Sequence, residues 1–140
     1  MVEIEMKPKT RRPGWTASSE AESGVNHFHW RVSSGQHAWR PPTDVFVTDV
    51  SVIVRVEIAG MREGEFSITF EDRTLTIRGS RPDRPVRRAY HQMEIRFGEF
   101  RTDVGLHWPV DTDRIDAEYR DGFLRVTLPL AEPQSIEIQD

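Results

Sequence analysis

The chain contains no cysteine. Disulfides, thiolate nucleophiles and Cys-based zinc sites are therefore excluded, which fits a reducing compartment. Lysine is almost absent: Lys7 and Lys9 are the only two, so no phosphate-cradling Gly-x4-Gly-Lys loop can be built. No Gly-x-Ser-x-Gly nucleophile elbow occurs. The opening MVEIEMKPKTRRPGW has no apolar run of signal-peptide length, and no stretch approaches the ~20 apolar residues that cross a bilayer. These absences predict a soluble cytoplasmic protein without enzymatic, nucleotide or cofactor chemistry and without membrane partners.

The 140 residues suffice for one domain with a real core. With 36% hydrophobic and 30% charged residues, that core cannot be generous. A net charge of −4 gives no global bias toward nucleic acid. The charge is uneven: +2 over residues 1–42, −3 over 43–131 and −3 over 132–140.

The clearest organising stretch is Ala117–Leu130, AEYRDGFLRVTLPL. Asp121-Gly122 supplies a tight turn, since glycine enters the φ > 0 region without steric cost and Asp is among the few others that go there. Beyond it Leu124, Val126 and Leu128 share one side while Phe123, Arg125 and Thr127 share the other. That period of two marks a strand with one buried face. Pro129 ends the ladder because it has no N–H to donate.

Upstream, the same period recurs. Asp44–Thr48 reads as a short strand, and Ser51–Ala59 as the strongest, with Val52, Val54, Val56 and Ile58 on one face. Phe66, Ile68 and Phe70 alternate with polar residues. Asp72-Arg73 occupies a two-residue hairpin loop where glycine would suit better, and Leu75 and Ile77 continue the partner strand. Tyr90–Phe97 and Phe100–His107 read as two more strands, and Arg114–Arg120 leads into the final hairpin. Strands every 8–12 residues with no helical period predict an all-β sandwich over residues 43–131.

Residues 1–42 differ. They are rich in Ser, Gly, Pro and charge, and predict a flexible, disordered N-terminal arm. Trp15, Phe28, Trp30 and Trp39 stand out in it, either incidental or able to adhere to apolar surface on a sister subunit or a foreign chain. His27-x-His29, with His37, is the best metal pattern, but no carboxylate lies near and the arm offers no rigid scaffold, so no metal site is expected. Arg78 and the loop Ser80–Arg88, with Arg81, Arg84, Arg87 and Arg88, form a basic stretch; Asp83 interrupts it and no aromatics interleave, which favours a solvated loop or a protein contact over nucleic acid.

The tail 132–140 carries Ile136-Glu137-Ile138. In extended geometry both isoleucines face one side. They either fold back on their own domain or enter a groove at a sheet edge. Each buried Ile contributes about 1.5–3 kcal/mol, against association costs on the order of 4–15 kcal/mol. One tail cannot hold two subunits, but several acting on dimers can, through effective concentration.

Four motifs then fall in order along residues 43–138. Ala117-x4-Gly122-x-Leu124, running to Leu128-Pro129, resembles the A-x-x-x-n-G-v-L signature of the small heat shock proteins (α-crystallin family). Glu94-x3-Gly98-x-Phe100 resembles the family's E-x-x-x-G-x-F segment, Val110-Asp111 its V-D turn, and Ile136-Glu137-Ile138 its I-x-I tail. Where the family usually has Arg and Leu-Pro, this chain has Thr102 and Leu106-His107. The resemblance implies an immunoglobulin-like antiparallel β-sandwich, the α-crystallin domain, and an ATP-independent holdase for unfolding clients. It implies a dimer built by exchanging the strand and loop of Arg84, Arg87, Arg88, Tyr90, Met93, Glu94, Ile95 and Phe97. It also implies higher oligomers whose Ile136 and Ile138 seat between Phe66, Ile68 and Phe70 on one strand and Ile115, Ala117 and Tyr119 on another. The arm is where clients are engaged. A same-fold co-chaperone with a dedicated protein partner is the alternative.

Overall fold

Val52, Val54, Val56 and Ile58 are all fully buried, as their alternation requires, and the three valines meet Leu128, Val126 and Leu124 in cross-strand register. The computed structural model that shows this describes residues 1–6, 38–62, 65–84 and 86–132. Two four-stranded antiparallel sheets stack face to face. The first has the order β1 (Val2–Glu3), β4 (Phe66–Glu71), β5 (Thr74–Arg81), β6 (Gly98–Gly105). The second runs β2 (Thr43–Val47), β3 (Ser51–Glu57), β8 (Phe123–Pro129), β7 (Asp116–Arg120). The core lies between them, where Ile68, Leu75, Ile77 and Phe100 of the first sheet meet the β3 and β8 aliphatics of the second. No α-helix occurs among the described residues.

Both predicted two-residue turns form. Asp121 and Gly122 take φ of 52° and 83°, and Asp72 and Arg73 take 49° and 60°. Positive φ at both central positions matches the right-handed twist of the flanking strands. A 3-10 turn at Thr112–Arg114 follows Asp111, whose carboxylate accepts from the Asp113 N–H at 3.1 Å. Sequence periodicity did not predict this turn, because three residues carry no period.

One expectation needs correction. Tyr90–Phe97 forms no strand in the single chain. The adjoining edge of β6 is already taken by Trp39, which donates its N–H to Glu99 O at 3.1 Å and accepts from Arg101 N at 2.9 Å. An isolated extended segment gains no ladder of its own. The described ends of residues 1–42, namely 1–6 and 38–42, join the sandwich; residues 7–37 of the expected arm lie outside the described residues. Val2–Glu3 pairs with β4, and Pro42 O accepts from Glu57 N at 3.0 Å.

Candidate docking surfaces

The two strands expected to form the tail-accepting groove do come together. Phe66 and Tyr119 meet with ring centroids 5.1 Å apart. Tyr119 is held by its hydroxyl, which donates to Ile58 O at 2.8 Å and accepts from Met61 N at 3.3 Å. Ile68, Phe70 and Ala117 are buried, while Phe66, Ile115 and Tyr119 are half-buried. The groove is not empty. Val2 and Glu3 pair with Phe70 and Thr69, Ile4 N donates to Ile68 O at 3.0 Å, and Met6 bridges Ala117 in parallel. Val2, Ile4 and Met6 face the core, and Glu3 and Glu5 face solvent. This occupant was missed in sequence, although VEIEM alternates apolar with acidic; its five residues were read with the polar segment that follows.

The aromatic contacts extend across the first sheet. Phe66 meets Phe100 at 6.1 Å, and Phe100 meets Trp39 at 5.8 Å. Trp39 was expected on a client-binding arm. It is instead half-buried, pinned by its bridge to Phe100 and by the Arg81 guanidinium 4.7 Å from its ring centroid. Trp15, Phe28, Trp30, Ile136 and Ile138 lie outside the described residues. Thr102, standing where the family's Arg is usual, is buried and accepts from Arg40 Nε at 3.1 Å, with the Thr43 hydroxyl 3.0 Å away.

The segment expected to be exchanged is strongly exposed. Tyr90, Met93, Ile95 and Phe97 are 50%, 65%, 64% and 37% exposed, and Arg84, Arg87 and Glu94 are exposed as well. Its ends are tied down: Arg88 pairs with Asp83 and stacks on Tyr90 at 5.0 Å, while Arg81 Nε donates to Arg96 O at 2.8 Å and covers Phe97 at 5.4 Å. Among the described residues, β2 has no neighbour on its outer side, and Val45 and Phe46 are exposed there. No group of three or more metal-ligating side chains converges among the described residues.

The signature positions sit where their chemistry demands. Ala117 and Leu124 are fully buried, and Gly122 takes its positive φ with Ala59 packed close by. The model of the Hsp20/alpha crystallin family matches residues 44–139. The chain belongs to that family. Its members are small heat shock chaperones rather than enzymes. Among similar proteins, the 18 kDa antigen 2 of Mycobacterium avium is 34% identical over 100 residues, 69% of this chain and 72% of that protein. The 17.9 kDa class II heat shock protein of Helianthus annuus is 33% identical over 133 residues, 89% of this chain and 82% of that one. The structure of heat shock protein 16.0 from Schizosaccharomyces pombe superposes with a TM-score of 0.66 at 28% identity, covering 72% of this chain and 96% of that chain. The hspA of Xanthomonas axonopodis shares the fold with a TM-score of 0.64 at 22% identity, covering 70% of this chain and all of that one. No helix among the described residues is long and apolar enough to cross a membrane.

Proposed function

We propose that this chain is an ATP-independent holdase of the cytoplasm, assembled from dimers into larger oligomers, that covers the apolar surface of unfolding proteins. The observation that carries the assembly is the pairing of two unmet needs on one chain. Among the described residues, 90–97 present Tyr90, Met93, Ile95 and Phe97 to solvent without a ladder, and β2 offers an unpaired edge beside exposed Val45 and Phe46. A monomer gains by burying such surface, and a strand added to an open edge supplies the missing hydrogen bonds. Exchange of this segment between two copies answers both needs at once. Dimers then join through Ile136 and Ile138 at the groove of β4 and β7, and the aromatics Trp15, Phe28 and Trp30 take part in holding clients.

The test is solution mass beside client protection. The full chain is compared by sedimentation with a full-length Ile136→Ser/Ile138→Ser variant, and both are assayed for suppressing aggregation of a heat-unfolded model protein without nucleotide. Large assemblies for the first and dimers for the second are expected, with protection by the full chain. Equal masses overturn the tail's role. Absence of protection for unrelated clients overturns the holdase and turns the search to a dedicated partner.

A further inference from the structure

We propose that Val2–Met6 is a built-in competitor for the groove that the Ile136-Glu137-Ile138 tail is proposed to enter, so that a groove takes a tail only after releasing its own first strand. This rests on the tail-docking reading above. It starts from the arrangement of one chain: Val2, Ile4 and Met6 project inward between β4 and β7, and Ile4 is only 7% exposed. The backbone of this segment uses the outer side of β4, with Val2 opposite Phe70, Glu3 opposite Thr69, and Ile4 N bonded to Ile68 O at 3.0 Å. It then reaches across to Ala117 through Met6.

A strand edge has one row of donors and acceptors and accepts one neighbour. The two candidate occupants have the same chemistry. Val2-Glu3-Ile4 and Ile136-Glu137-Ile138 are each a β-branched aliphatic, a glutamate and an isoleucine. In extended geometry both patterns place two aliphatic side chains on one face and the carboxylate on the other. Simultaneous occupancy is sterically excluded, so the two segments are alternatives. The apparent affinity of any tail is then reduced by the fraction of grooves that stand open. Since the first strand is tethered to its own groove, it competes at a fixed high local concentration, whereas tails from other subunits compete in proportion to protein concentration. Assembly size thereby becomes sensitive to dilution, and to heat that loosens a two-residue ladder.

A labelled peptide spanning residues 132–140 tests this on the full-length chain whose own tail carries Ile136→Ser and Ile138→Ser. Adding Val2→Ser and Ile4→Ser is expected to tighten peptide binding about tenfold or more. On the chain with the first strand intact, hydrogen exchange with saturating peptide is expected to speed up over residues 2–6 while residues 66–70 stay protected. That second measurement needs no change in the strand and decides the matter if the double substitution impairs folding. Peptide that protects residues 66–70 while residues 2–6 remain protected, with affinity unchanged by the substitutions, overturns the competition and leaves tail docking intact. Peptide that binds neither form overturns tail docking, and the competition with it.

Discussion

Gly79 lies against the ring of Phe100 so closely that a Cβ on the glycine would stand 2.5 Å from the ring's Cζ and 2.9 Å from Cε1. Phe66 and Phe100 flank Gly79 on the neighbouring strands, and their rings meet edge to face across it at 6.1 Å. The missing side chain is what lets the two rings meet. Such a pair contributes about 0.5–1.5 kcal/mol beyond its buried area. Gly79→Ala is therefore expected to destabilise the fold by about 1–3 kcal/mol, the usual cost of overpacking. Urea unfolding measures it, and an unchanged midpoint would show that the ring can move aside freely.

The opposite substitution is favourable at the other end of the same hairpin. Arg73 holds a φ of 60° that side-chain-bearing residues adopt at a cost of roughly 1–2 kcal/mol. Glycine removes that cost but loses more entropy on folding, about 0.5–1 kcal/mol. Arg73→Gly is expected to stabilise by about 0.5–1 kcal/mol, net of those two effects. Its carbonyl bond from Leu106 N at 2.8 Å needs no side chain. A thermal melt reads the gain as a rise in Tm, and a fall would place the Arg73 side chain among the stabilising groups.

Asp103 couples stability to acid. Burial by itself would raise its pKa, but hydrogen bonds from Thr76 at 2.8 Å and Arg101 at 2.9 Å, with the positive charges of Arg101 and Arg78, hold it below the ordinary carboxylate value. The folded pKa being the lower one, the carboxylate stabilises the fold above about pH 4, near the unfolded value. That contribution disappears as pH falls through the folded pKa. The side chain is 45% exposed, so screening keeps the effect under about 1 kcal/mol. Asp103→Asn is expected to be less stable than the parent near neutrality and to converge with it in acid. A gap that persists unchanged into acid would assign the loss to shape rather than charge.

Ile95→Asp tests the segment proposed to be exchanged with little risk to the core, because Ile95 is exposed and outside both sheets of its own chain. Circular dichroism is expected to be unchanged, while the dimer dissociates at least tenfold more readily, since a desolvated, unpaired carboxylate at an interface costs more than about 1.4 kcal/mol. Equal dissociation constants for parent and variant would remove residues 90–97 from the interface.

Alternation in the sequence by itself determined the sandwich: Val52, Val54, Val56 and Ile58 had to face one way, as did Leu124, Val126 and Leu128, because successive side chains of an extended chain point oppositely. The Asp121-Gly122 turn was legible for a similarly local reason, since glycine and Asp sit readily at positive φ, and Asp72-Arg73 from its place between two alternating runs. The family resemblance set Phe66, Ile68 and Phe70 beside Ile115, Ala117 and Tyr119, and among these Phe66 meets Tyr119. Only the tertiary structure decided who pairs with what at the edges. Trp39 looked like part of a loose arm until the outer side of β6 was seen to hold it. Tyr90–Phe97 had a strand's composition but no ladder of its own, because Trp39 already occupied the adjoining edge of β6. Val2–Met6 had an alternating pattern too short to weigh by itself, and became a strand because β4 and β7, some sixty and more than a hundred residues away, leave a gap of its shape. Edge pairing depends on groups brought together from distant parts of the chain, and local periodicity carries no record of them.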